Sequence, residues 1–376
     1  MRRTVLLTGS FVAAILISAV ALKSQQDGPV NPGSETVAKP RPTNPTSGGD
    51  ASPDLAPIPS KLNKKAAPGD ADTPNFKVQS NLVQIDVSVL DNRGNFIPNI
   101  PRGNFRILED DVPQQIKSFN MGEAPMTVAL LVEFSAKWQR GQTWYQTLQA
   151  AYGFAGTLKP QDYIAVIAYD MRPEILSDFS QDRTKTQEAL GRLRIPGFSE
   201  SNLFDALVDT EERMKDIEGR KAIVLIASGV DTFSKLTFDK ARRTIQEDGV
   251  PIYAIGLMQA LRIMNETRMS GPQDLTFLQA DNQMKTFSKE TGGIAFFPRF
   301  EGEMPSIFQG IQQALRNQYQ IGYSPTNLAR DGKFRKIKIQ LVNPQGDPLS
   351  IKDEKNKPIK YQIVAKAGYT APRVVE

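Results

Sequence analysis

The sequence predicts an α/β fold: a doubly wound, mostly parallel sheet with helices on both faces, joined by a small antiparallel β section from flanking N- and C-terminal segments. Two observations predict the central domain. After Pro125, short apolar runs alternate with stretches of helical periodicity, the rhythm of strands joined by crossover helices. The apolar runs are nearly unbroken, as strands buried on both faces must be. A third observation predicts the flanks: Val83, Ile85, Val87 and Val89 alternate with polar residues. That period returns at Ile337, Ile339 and Leu341 and at Tyr361, Ile363 and Ala365.

In chain order, residues 76–122 form the first β-rich section, with a turn at Asp91-Asn92-Arg93-Gly94-Asn95. Short strands are expected at Phe105-Arg106-Ile107-Leu108 and Ile116-Lys117-Ser118-Phe119, parted by a polar turn over Glu109-Asp110-Asp111-Val112-Pro113. Residues 123–320 form the α/β domain. Its buried strands are expected at Val128 to Phe134, Tyr163 to Tyr169, Ala222 to Ala227, Ile252 to Leu257 and Ile294 to Phe297. Ile175 to Phe179 follows Tyr169 too closely for a crossover helix and reads as an antiparallel edge strand. Leu203, Ala206, Leu207, Thr210, Met214 and Ile217 fall on one helical stripe, and Met304, Ile307, Phe308, Ile311 and Leu315 on another; both read as core-facing. Residues 321–376 return to β pattern and are expected to pair with 76–122.

Arg2 and Arg3 precede a mostly apolar run from Val5 to Leu22, the pattern of an export segment. Ala19-Val20-Ala21 offers a cleavage site, whereas the length of the run also suits an uncleaved anchor through residues 5–22 in the cytoplasmic membrane. Residues 1–23 are thus a signal peptide or signal anchor. Residues 24–75 are rich in Pro, Ser and Gly and nearly free of aromatic side chains, the composition of a disordered tether. The expected location is extracytoplasmic: periplasm, cell surface or secreted.

Composition removes several chemistries. Among 376 residues there is no His and no Cys, so imidazole bases, thiolate nucleophiles and their metal sites are absent. The formal charge of +5 is spread among acidic residues without a basic run, which argues against nucleic acid. No Gly-rich phosphate loop is present, which argues against a nucleotide enzyme.

Ligands of open α/β sheets bind beyond the carboxyl ends of the strands. Three segments belong there: Glu133-Phe134-Ser135-Ala136-Lys137, the stretch from Ser199 to Leu207 that leads into the striped helix, and Ser228-Gly229-Val230-Asp231-Thr232. A resemblance is carried, in order along the chain, by the alternating strand before Asp91, Phe105 to Asp111 with Phe119, Leu203-Phe204-Asp205-Ala206-Leu207, Lys221 to Thr232, Gly256, Thr291-Gly292-Gly293, Tyr319-Gln320-Ile321-Gly322-Tyr323 and Ala367-Gly368-Tyr369. From about Val78 to Pro372 the chain resembles a von Willebrand factor A domain, and more closely the related family of exported acidobacterial proteins. The resemblance implies a Mg²⁺ site built from an Asp-x-Ser-x-Ser loop, a Thr and a second Asp. At those positions this chain has Glu133, Ser135, Lys137, Ser201 and Ser228, and only Ser135 is unchanged. An ammonium at a ligand position removes an oxygen donor and adds a repelling charge. The resemblance therefore implies a degenerate metal site with no resident cofactor; weak Mg²⁺ binding, with Asp205 or Asp231 as substitute carboxylates, is the alternative. Lys137 is expected to pair with Glu133 in place of the metal.

The function these readings support is a non-enzymatic module that recognises a protein or cell-envelope ligand through the top loops, with Trp138 and Trp144 as candidate aromatic anchors. The alternatives are a structural envelope component with idle loops, and a hydrolase using Ser135 with Lys137 as base, whose spacing does not match the Ser-x-x-Lys enzymes.

Overall fold

The computed structural model describes residues 82–136, 142–193, 198–264, 271–352 and 355–373. The N-terminal apolar run, the tether, Lys137 and Trp138 lie outside the described residues. The chain opens with β1 (Val83–Asp91), β2 (Phe105–Glu109), β3 (Val112–Gln114) and β4 (Ile116–Glu123). The central part runs β5 (Met126–Glu133), α1 (Gln142–Thr157), β6 (Tyr163–Tyr169), β7 (Pro173–Ser180), α2 (Arg183–Gly191), α3 (Leu203–Met214) and β8 (Arg220–Ala227). It continues with α4 (Phe238–Asp248), β9 (Ile252–Gly256), α5 (Met258–Met264), α6 (Gly271–Thr291), β10 (Ala295–Phe296) and α7 (Met304–Arg316). The last part holds β11 (Asn317–Tyr323), β12 (Phe334–Leu341), β13 (Ile351–Lys352), β14 (Pro358–Ile359), β15 (Tyr361–Val364) and β16 (Gly368–Thr370).

The central sheet has the order β10-β9-β8-β5-β6-β7, parallel except for the antiparallel edge strand β7. It is the doubly wound, von Willebrand factor A-like sheet that the resemblance implies. Its continuous apolar strands serve two cores. In β5, Val128, Leu130 and Val132 face one cluster with α1 and α7, while Ala129 and Leu131 face another with α3, α4 and α6. The stripe of α3 is buried as expected, but Ile217 lies beyond the end of the helix and joins the same core from the following turn. Strand order reverses on either side of β5, so the crevice at its carboxyl end is the switch point of the sheet.

The flanks build more than one small sheet. Two four-stranded sheets form, β15-β1-β11-β4 and β16-β12-β2-β3, and they share one core around Val87, Ile107, Tyr319 and Ile337. The expected turn over 109–113 narrows to Asp110 and Asp111, both at positive φ (47° and 64°), and Val112–Gln114 pairs back on β2. Aspartate tolerates that left-handed backbone, so two residues suffice to reverse the chain. Tyr319 anchors the shared core: its hydroxyl donates to Ile97 O at 2.7 Å and accepts from Ile100 N–H at 3.0 Å. β11 runs without a break through residue 320, so the strand following α7 belongs to the antiparallel part.

Candidate functional site

Register places the carboxyl end of β5 against that of β6, with Glu133 beside Tyr169. Phe134 N–H donates to Tyr169 O at 2.7 Å, and Ala136 N–H donates to Phe198 O at 2.6 Å, so the first loop is held to β6 and to the second loop. The second loop is held in turn. Asn202 N–H reaches Asp170 O at 2.8 Å, and Ser201 O accepts from Thr232 N–H at 2.8 Å and from Phe233 N–H at 2.9 Å. Gly229 shapes the third loop with φ at +80°, where a Cβ would also collide with Met284.

The structure brings Glu133, Ser135, Ser201 and Ser228 together at this point, and all four are fully buried. The Ser135 hydroxyl donates to Glu133 Oε1 at 2.6 Å, and Ser228 N–H donates to Glu133 Oε2 at 2.6 Å. Glu133 is one methylene longer than the aspartate that the resemblance implies. Its carboxylate spans the crevice to the third loop, and both its oxygens have protein donors. Burial pushes its pKa up; the Ser135 and Ser228 hydrogen bonds oppose that shift, and the charge of Asp231 adds to it.

Beside this carboxyl lie polar atoms without partners. The Tyr169 hydroxyl is turned toward the Ser201 hydroxyl, but neither oxygen completes a well-formed hydrogen bond, and Asn202 Oδ1 is also unmet. Burial drives the Tyr169 phenol far above its usual range, and the charges of Glu133 and Asp231 push the same way. The Ser228 hydroxyl accepts from Val230 N–H at 3.2 Å, which tightens its own loop.

The two substitute carboxylates have other work. Asp231 accepts from Phe204 N–H at 3.3 Å and from the Ser234 hydroxyl, and Ser234 Oγ accepts from Phe204 and Asp205 N–H at 3.1 and 3.2 Å. Asn202, the residue at the cap position of α3, gives no side-chain cap, so the third loop caps the first turn of the helix from outside. Asp205 accepts from Lys235 N–H at 2.9 Å and Leu236 N–H at 3.0 Å, fixing the far end of that loop.

This donor set does not fit Mg²⁺. An octahedral site needs several free hard oxygens; here Glu133 is taken up by Ser135 and Ser228, a serine stands where a second carboxylate would be, and Asp205 and Asp231 hold main chain. Among the described residues no group of three or more Asp or Glu side chains could hold a metal ion. Trp144 sits half-buried on α1. Sequence reasoning missed Tyr169, Ser234 and the two exposed aromatics of the top loops, Phe198 at 51% and Phe233 at 49%.

No family model matches the sequence, and no curated protein matches it. Solved structures are similar at low identity. The von Willebrand factor domain of the type V pili tip protein Mfa5 from Porphyromonas gingivalis is 14% identical with a TM-score of 0.38, covering 52% of this chain and 97% of that one. A von Willebrand factor type A protein from Catenulispora acidiphila is 12% identical with a TM-score of 0.40, over 79% of this chain and 76% of the other. Proximal thread matrix protein 1 from the mussel byssus is 9% identical with a TM-score of 0.38; the match covers 52% of this chain and half the length of the mussel protein. The fold assigned above rests on its own strand order and not on these likenesses.

Proposed function

We propose that this chain is an exported or membrane-tethered, non-enzymatic binding module that recognises a protein or cell-envelope ligand through the top of its α/β domain without a metal. The exposed pair Phe198 and Phe233 carries the reading. Each sits on a loop whose main chain is pinned to the Glu133 crevice, so a large apolar side chain is presented from a rigid base. Aromatic anchors on pre-organised loops contribute much of the affinity at protein interfaces, because little conformational freedom is lost on contact. The export segment at 5–22 and the tether at 24–75 support an extracytoplasmic site of action. The finer kinship, with the exported acidobacterial family, belongs to the same proposal. Among the described residues no helix is long and apolar enough to cross a membrane.

The test is co-sedimentation of the purified full chain with cell-envelope fragments of its source organism. The double change Phe198→Ser and Phe233→Ser is expected to lower the bound fraction about tenfold, the effect of losing about 1.4 kcal/mol. Equal binding by both proteins would contradict the proposal and favour a structural component whose top loops are idle. Labelling of Ser135 by a fluorophosphonate probe would favour the hydrolase; its hydroxyl is buried and donates to a carboxylate, so no labelling is expected.

A further inference from the structure

A second candidate surface lies away from the Glu133 loops, along the β10 edge of the central sheet. There α4, α6, β12 and the segment from Gln362 to Ala367 enclose a cleft of about 920 Å³. Six cationic side chains line it: Arg242, Lys285, Lys289, Lys336, Lys338 and Lys366. The lone carboxylate, Glu290, is bound on both oxygens by Arg242, at 2.9 and 2.7 Å from Nε. Lys285, Lys289, Lys336 and Lys338 are exposed, and among the described residues none of the four is in an ion pair. Their spacing is regular: one helical turn apart on α6, and two residues apart on the outer face of β12.

Between the cations the wall is apolar and offers main chain. Ile294, Ile339 and Ile363 are half-buried in the lining. β10 and β15 are edge strands; on β12, past its pairing with β16, Ile337 N–H donates to Ala367 O at 2.8 Å and Leu341 O accepts from Leu349 N–H at 2.9 Å, which leaves a short edge at Ile339 between them. Free strand edges carry unpaired N–H and C=O groups, a template for an added strand. We propose that this cleft binds an extended acidic peptide of a partner protein, which pairs with a free strand edge, sets its carboxylates on the lysines and its alternate apolar residues on the isoleucines. A single-stranded nucleic acid would call for exposed aromatic platforms; Phe238 of the lining is half-buried and packs on Phe204 and Phe287, and aliphatic side chains beside strand edges suit a peptide. The proposal does not rest on the top-face reading.

The test uses the purified full chain and a fluorescent eight-residue peptide of alternating Glu and Val, followed by anisotropy. Saturable binding is expected, weakened about tenfold or more by Lys285→Glu with Lys289→Glu and again by Lys336→Glu with Lys338→Glu, since each pair of substitutions replaces attraction by repulsion. These lysines are exposed, and unchanged thermal unfolding of both variants checks that the fold survives. Methylation of alternate peptide nitrogens is expected to cause a similar loss, because it removes strand pairing and leaves every charge. Overturning results are no saturable binding by the unaltered chain, equal binding by the charge-reversed variants, or equal binding of the methylated peptide. Tighter binding of an oligo-dT strand or of phosphatidylglycerol vesicles, lost in the same variants, would also overturn it.

Discussion

The two ends of the central sheet treat a buried carboxylate in opposite ways. At the amino end, Asp162 accepts from Met126 N–H at 3.1 Å and Lys159 N–H at 2.8 Å, and faces the Arg316 guanidinium at 2.7 Å. Charge is matched by charge, and the joint ties β5, the start of β6 and the end of α7 together. At the carboxyl end, Glu133 is as deeply buried, and its donors among the described residues are a hydroxyl and an amide. A buried carboxyl without a counter-charge contributes little to stability and shifts its pKa upward instead. The difference separates a charge-matched structural joint from a buried carboxyl held by neutral donors.

The largest expected effect is at the matched end. Asp162→Ala removes the carboxylate facing Arg316 and should cost about 3 to 5 kcal/mol in urea unfolding, the range for breaking a buried pair. A loss below about 1 kcal/mol would erase the contrast. At the other end, Ser135→Ala should cost about 1 to 3 kcal/mol by leaving one oxygen of Glu133 unmet.

A pH series sharpens the comparison further. Burial raises the folded-state pKa of Glu133 above its ordinary value of 4.5, so the folded chain retains a proton that the unfolded chain releases. The stability this group contributes is therefore full below pH 4.5 and falls as pH rises through the folded-state value. Glu133→Gln should remove that fall, so the stability difference between variant and parent should grow in the variant's favour from pH 4.5 upward. A constant difference would show that Glu133 does not titrate differently on folding. The smallest effect belongs to Ser201→Ala: its hydroxyl has no well-formed partner, and stability should change by less than about 0.5 kcal/mol.

The sheet was legible because burial on both faces leaves short, nearly continuous apolar runs, as in Val128 to Val132, which recur between stretches of helical periodicity. The placement of Glu133, Ser135, Ser201 and Ser228 in one crevice was legible for the same reason, since the strands fix where their loops meet. The role of Asp231 was not, because it depends on contact with Phe204, on the helix before β8. Tyr169 was hidden by its own strand, where it reads as one more buried side chain of an apolar run. The second antiparallel sheet escaped because β3 holds a proline and is flanked by acidic residues, and its pairing follows from a two-residue turn that composition does not disclose. The basic cleft gathers lysines from α6, β12 and Lys366, which form no run along the chain.

The central claim is that the Glu133 crevice is closed to metal by its own side chains, and Mg²⁺ titration calorimetry on the full chain tests it most directly. The account predicts no measurable binding by the unaltered chain and at least about tenfold tighter binding once Glu133→Asp shortens the reach and Lys137→Ser restores an oxygen donor. Stoichiometric Mg²⁺ binding by the unaltered chain, equal to that of the double variant, would contradict it.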